Sequence, residues 1–405
     1  MLNGIDEIDW SRLSHAYGPA DDVPGQVRAL ASADPGARAR ARYELYGNIF
    51  HQGSRYEATA YAVPFLLELL ADPGTGEPAE LLELLVAIAV GYDESWLPDG
   101  VPVSEWRRQA AGGKALFAAA PRPGDDAYNE DEGDYAYLES LTEAEQACLY
   151  AYVELAAYDA VRAGVPLFRA LLTRPEPALR ACAAYALAWF PEEATGSVAA
   201  LAAVAAADPD TELPPVVGTA LAATGLLGVA PDAALLTDPR PVVRWGAAIG
   251  RARVLGAAAD QATVDELMTW AAGAPEGSTG VPFLEGDLAG WAGLALRQIG
   301  PRHADKGFDV LLARIPAVSG IAALPVVEQA LRLAFPDGPL PVGTPATALT
   351  DRQRRLAEAL AASPGTWLIG GHPFANFGLL VSGYGLAHDA EGLGAYLGEG
   401  TTAPR

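Results

Sequence analysis

The sequence predicts an all-α chain: an α-solenoid of antiparallel helix pairs with one irregular insertion and a C-terminal cap. Three observations carry this. Ala and Leu dominate a chain that is 51% hydrophobic and only 19% charged, a mixture that favours helices with a large buried core. Apolar residues recur at helical offsets on either side of short Asp-Pro turns. The same Val-Pro-containing segment also returns about a hundred residues later. At 405 residues the chain exceeds what one globular core usually supports, which suits several domains or a repeat array.

Taken in order, residues 1–20 form an irregular lead-in with Trp10 as its anchor on the body. A short helix over Val23–Ala33 should stop at Asp34-Pro35-Gly36, and a longer one should follow from Ala37 to Phe50, with Gly53 in the turn after it. Val63-Pro64 reads as the start of the next helix, since proline suits the first helical position. From Ala62, the residues Phe65, Leu66, Leu69 and Leu70 stand at offsets of three, four, seven and eight, one apolar stripe. Leu81, Leu84, Leu85, Ile88 and Ala89 repeat that spacing beyond Asp72-Pro73-Gly74. The first repeats therefore fill 21–92, and further repeats fill 142–337.

Val165-Pro166-Leu167-Phe168 through Leu171-Leu172 matches Val63-Pro64-Phe65-Leu66 through Leu69-Leu70 position by position. After the turn at 173–177, Leu179, Cys182, Ala183, Ala186, Leu187 and Phe190 share a face. Further units open at Leu213-Pro214-Pro215, at Asp238-Pro239-Arg240-Pro241-Val242-Val243-Arg244 and near Leu324-Pro325. Arg180 and Arg244 both stand three residues after a turn proline. Asp-Pro-x-x-Val-Arg, an Ala-rich helix and Val-Pro-x-Leu-x-x-Leu-Leu together resemble the HEAT repeat family in its short bacterial form. The resemblance runs from about Ala37 to Phe335, with repeats near the roughly 40-residue HEAT length. The segment Gly47–Gly53 is also similar to a Gly-Asn-Ile-x-His-Gln-Gly stretch of bacterial HEAT-like proteins. The resemblance implies a solenoid that serves as scaffold, adaptor or inhibitor, and in some members as an enzyme.

The net charge is −24. Such a chain repels phosphate at long range, so the expected partner is a basic protein or peptide and not nucleic acid. Arg38, Arg40 and Arg42, and Arg352, Arg354 and Arg355, form local basic groups read as solvated helix faces. Cys148 and Cys182 make no disulfide framework or metal signature and read as buried free thiols of a cytoplasmic protein. The N-terminus lacks an apolar signal core, and the apolar run at 81–90 is too short to span a bilayer. No membrane role is expected.

Two regions leave the repeat pattern. Residues 93–141 form an acidic and aromatic insertion, with Trp96, Trp106 and an acidic loop at 124–135 whose spacing is not that of a calcium loop. Residues 338–405 form the cap, in which Trp367, Phe374, Phe377 and Tyr384 fold back over the last repeat. Its Gly370-Gly371 and Ser382–Gly385 stretches read as backbone turns, because no Lys follows them as in a phosphate loop.

The densest polar and aromatic stretch is Tyr46, Asn48, His51, Gln52, Arg55, Tyr56 and Glu57. With Trp96 and Trp106 it is the expected partner-binding surface, since large aromatics and Arg anchor interfaces. In the structural alternative, His51 and Asn48 cap the preceding helix and Glu57 opens the next. An enzymatic alternative places His51, Tyr56 and Glu57 in one pocket acting on a small molecule or nucleobase. No nucleophile motif, catalytic set, cofactor motif or metal-ligand spacing is present in the sequence. The expected function is accordingly non-enzymatic: a protein-binding scaffold, adaptor or inhibitor.

Overall fold

A computed structural model describes residues 2–128, 135–206, 213–275 and 277–399. The chain divides into two compact units, Met1–Ala207 and Asp208–Arg405. Both are built mainly of α-helices, and among the described residues the strands are three two-residue antiparallel pairs.

Unit 1 opens with a hairpin, β1 (Ser14–His15) and β2 (Gly18–Pro19). Next come α1 (Val23–Ala29), α2 (Pro35–Asn48), a second hairpin of β3 (Phe50–His51) and β4 (Ser54–Arg55), and then α3 (Glu57–Ala71) and α4 (Pro78–Val90). The lead-in is thus more ordered than expected. Trp10 is its anchor: the indole is buried, donates to Ile5 O at 2.7 Å and packs 6.4 Å from the Phe65 ring. Helix α1 stops at Ala29, short of the expected Ala33, and α2 starts at Pro35 rather than Ala37, with Asp34 as its cap, accepting from the Gly36 N–H at 3.0 Å.

Helix α3 corrects the expected start at Val63-Pro64. It begins at Glu57, and Pro64 lies inside it on the exposed side. The true opening is a capping arrangement in which Thr59 Oγ1 accepts from Tyr56 N–H at 2.8 Å and donates to Ile49 O at 2.6 Å. The predicted stripes on α3 and α4 are buried.

The 93–141 insertion is not loop throughout. It carries α5 (Val103–Gln109), α6 (Gly113–Ala119) and α7 (Tyr135–Ser140), while 129–134 of the acidic loop lie outside the described residues. Helix α8 (Glu143–Arg162) packs against α3, α4, α5 and α6. A Thr142–Glu145 capping box starts it. Then follow α9 (Val165–Leu171), α10 (Pro177–Leu187) and α11 (Ala194–Ala205). Pro166 occupies the first turn of α9, and Pro177, expected in the preceding turn, is the first residue of α10.

Unit 2 contains α12 (Pro214–Leu226), α13 (Pro241–Leu255), α14 (Gln261–Ala272), α15 (Leu288–Ala295), α16 (Ala304–Arg314), α17 (Ala323–Ala334) and α18 (Asp351–Ala361). The hairpin β5 (Leu368–Ile369) and β6 (His372–Pro373) leads to α19 (Ala375–Ser382) and α20 (Ala390–Glu399). Helices α12 and α13 approach so closely that a Cβ on Gly225 would strike the Gly250 backbone, and one on Gly246 the Gly218 backbone. In the tail, Trp367 and Phe377 are buried with ring centroids 4.9 Å apart, and Tyr384 packs on Phe335 at the end of α17. Phe374 is half-buried.

One repeated device links sequence to structure. Arg38, Arg180 and Arg244, each three residues after a helix-opening proline, reach back to a carbonyl of the incoming turn. They donate to Ser32 O, Leu172 O and Asp238 O, each at 2.8 Å. This ties the start of each helix to the preceding chain and satisfies carbonyls left over at a helix junction. The two basic groups are not bare solvated faces. Arg38 and Arg42 pair with Glu77, Arg42 also with Glu80, and Arg352 and Arg355 pair with Asp305 and Asp309. Cys182 is buried, with its thiol pKa raised by that burial, whereas Cys148 is only half-buried.

Candidate functional site

The hairpin β3–β4 organises the site. Its two turn residues, Gln52 and Gly53, both have positive φ (50° and 88°), as a two-residue turn matching the strand twist requires. The register pairs Phe50 with Arg55 and His51 with Ser54. Arg55, Tyr56 and Glu57 are thereby delivered to one wall of a cleft of about 840 Å³. The β1–β2 hairpin supplies His15 and Tyr17, the segment after α6 supplies Arg122 and Tyr128, and α8 supplies Tyr150 and Glu154.

Charges in the cleft are matched. The Arg55 side chain is only 3% exposed; its Nη1 donates to Gly53 O at 2.5 Å, and its Nη2 stands 3.4 Å from Glu154 Oε1. Burial pushes the Arg55 pKa down, and Glu154 offsets part of that. The Glu57 carboxylate, also buried, lies 3.0 Å from Arg122 Nη2. Burial raises the Tyr56 phenol, partly countered by a hydrogen bond with Ser54.

Neither nearby histidine is set up as a general base towards this cleft. His15 is buried; its Nδ1 accepts from Tyr17 N–H at 3.1 Å, which leaves the Nε2 proton to donate to Asp22 Oδ1 at 2.9 Å. Asn48 joins the same network through Asp22 and Gln26, and its Oδ1 accepts from Ile49 N–H. His51 Nδ1–H donates to Gly47 O at 2.9 Å in the last turn of α2, and Tyr17 stacks edge-on against its ring at 5.3 Å. His51 does not itself line the cleft that holds Tyr56 and Glu57. His51 and Asn48 therefore sit where a helix end needs partners.

The other predicted residues are placed as follows. Tyr46 is exposed and stacks on Phe50 at 4.9 Å, and Gln52 is exposed at the hairpin turn. Trp106 is buried and Trp96 half-buried; they pack edge-to-face at 4.9 Å, with Trp106 against Tyr158 and the Trp96 indole donating to Val90 O. Both indoles serve the interior of unit 1. Asp125 of the acidic loop is held by Arg122 N–H and Arg12, which keep its carboxyl below the usual range.

Sequence reading missed His15, Tyr17, Arg122, Tyr150 and Glu154. A usable signal was the resemblance of Ser14-His15-Ala16-Tyr17-Gly18 to Phe50-His51-Gln52-Gly53: a His and a Gly around a turn shortly before a helix. A second missed feature is the distribution of tyrosines. Thirteen of the fifteen lie in unit 1, and Tyr17, Tyr43, Tyr46, Tyr61, Tyr92, Tyr135 and Tyr150 are exposed there, whereas no described tyrosine of unit 2 is. Among the described residues no group of three His, Cys, Asp or Glu is gathered to hold a metal, and no helix is long and apolar enough to cross a membrane. Comparison with protein-family models, with curated proteins and with solved structures gave no match.

Proposed function

We propose that this chain is a non-enzymatic, HEAT-like binding protein of the cytoplasm, which holds a basic peptide or protein segment on unit 1 as scaffold or inhibitor. The observation that carries the reading is that four tyrosines line the cleft of unit 1, Tyr17, Tyr56, Tyr128 and Tyr150, of which Tyr17 and Tyr150 are exposed. Tyrosine offers large, rigid, amphipathic contact area at low entropic cost, which is why binding loops use it. Charge supports the basic partner: unit 1 has 31 Asp and Glu against 14 Lys and Arg, so its field steers cations inward. The matched pairs Arg55–Glu154 and Arg122–Glu57 give the cleft floor a fixed shape.

The test is selection of peptides from a random display library on the full chain, followed by titration against the Tyr17→Ala, Tyr150→Ala double variant. Enriched peptides should be basic, and the double variant should bind them about tenfold or more weakly at an unchanged melting temperature. Peptides without basic bias, or equal binding by the variant, would contradict the reading.

A further inference from the structure

Unit 2 has a cleft of its own, about 740 Å³, walled by α15 and the turn after it, by α16, by one face of α17, by the start of α18 and by Tyr384. Every ionisable side chain on its wall, apart from the Tyr384 phenol, is basic by type: Arg297, His303, Arg332 and Arg352. That is notable in a chain of net charge −24. His303 Nε2 accepts from Arg302 Nε at 2.9 Å, so the imidazole is neutral and the cationic groups on the wall are three guanidiniums, two of them paired with carboxylates outside it. Arg332 is held by Glu328, and Arg352 by Asp305 and Leu333 O. These contacts fix where the two guanidiniums stand.

A second, independent feature lies deeper. Gln329 sits on α17 one turn before Arg332 and Leu333, on the same face. It is only 2% exposed, and its Nε2 has no hydrogen-bond partner. A buried amide left without a partner is destabilising, so such a group in a native core calls for a ligand or a functional reason. Around it the wall is apolar: Leu296, Leu333, Phe335 and Pro339.

We infer that this cleft binds a small organic anion, an apolar body carrying one phosphate or carboxylate group. The arginines take the anionic oxygens, and Gln329 takes a further polar atom of the same molecule. The volume matches that of small-molecule sites, with a mostly apolar wall and few converging polar groups. This goes beyond the peptide reading and uses residues of unit 2 alone, so either can fail without the other.

The experiment is calorimetric titration of the full chain at low salt with phenyl phosphate, benzoate, inorganic phosphate and neutral benzyl alcohol. Phenyl phosphate or benzoate should bind at least about tenfold more tightly than both benzyl alcohol and inorganic phosphate, and which of the two leads identifies the head group. Gln329→Met keeps the volume and removes the amide. It should weaken that anion about tenfold while leaving the melting temperature unchanged or higher. Arg297→Gln, at the exposed rim, should also weaken it and flatten its salt dependence, which keeps the test open if the core variant misfolds. Equal binding of benzyl alcohol, equal binding of inorganic phosphate, no binding of either organic anion, or wild-type affinity in both variants would overturn the assignment.

Discussion

The two clefts are similar in size, about 840 and 740 Å³, but opposite in how they treat charge. In unit 1 each buried charge on the wall faces its opposite, Arg55 with Glu154 and Glu57 with Arg122, and the exposed Tyr17 and Tyr150 stand on the lining. In unit 2 the wall carries no carboxylate, and a buried amide is left without a partner. The units differ in the same sense overall, with 31 acidic against 14 basic residues in the first and 20 against 13 in the second. The opposed charges fix the shape of the first wall and leave recognition to Tyr17 and Tyr150, although Arg55 Nε is buried there without a hydrogen-bond partner as well. In unit 2 the unpartnered group is the neutral Gln329 amide, on a wall whose charged groups are all cationic. Net charge alone shows neither.

The largest effect should come from the support of the unit 1 cleft. Trp106→Ala removes an indole packed between Trp96 and Tyr158 of α8, the helix that carries Tyr150 and Glu154. A buried Trp→Ala change costs about 3–5 kcal/mol, to be read by denaturant melting. If stability barely moves, the indole is not a support. A smaller effect should separate the two matched hairpins. Gly53 (φ 88°) and Gly371 (φ 84°) hold equivalent turn positions, but a Cβ on Gly53 would also meet the Tyr92 ring at 3.2 Å, whereas nothing lies within 4 Å at Gly371. Gly53→Ala should therefore cost more than Gly371→Ala, which meets only the backbone strain of about 1 kcal/mol. Equal melting temperatures would remove the distinction.

Smaller again is a pH-dependent term in unit 1. Arg107 bridges Asp159 and Glu192, and Tyr158 donates to Glu192 at 2.7 Å. Burial opposes ionisation of both carboxyls, but the Arg107 hydrogen bonds outweigh it and hold both below the usual carboxylate range. Stability from a depressed carboxyl is present above its unfolded pKa and lost as pH falls through the folded one. Arg107→Gln should melt below wild type at neutral pH, and the gap should close in acid. A gap independent of pH would mean that the arginine acts through packing alone. The smallest stability effect is expected for Tyr17→Ala, within about 0.5 kcal/mol because the ring is 71% exposed; a larger loss would make Tyr17 structural.

Much of the helical framework was legible in the sequence. The apolar offsets on α3 and α4 and the prolines that open α9, α10, α12 and α13 are local signals with local causes. Pro64 misled because the true helix start depends on Thr59 bonding to Tyr56 and Ile49, a cap outside the usual Ser/Thr/Asp/Asn pattern at the first position. The hairpins were invisible because two-residue strands are too short to show alternation. The unit 1 cleft gathers side chains from Ser14 to Glu154, and no spacing rule brings Tyr17 near Tyr150. Of the predicted site, Arg55, Tyr56 and Glu57 reach the cleft, whereas Trp106 is spent on the interior, since composition does not separate an interface aromatic from a core one.

The most direct measurement is a crossed titration: a selected basic peptide and an organic anion, each against wild type, the Tyr17→Ala, Tyr150→Ala variant and Gln329→Met. The tyrosine variant should lose the peptide and keep the anion, and Gln329→Met should do the reverse. Retention of the peptide by the tyrosine variant, or loss of both ligands in either folded variant, would contradict the division of labour between the two clefts.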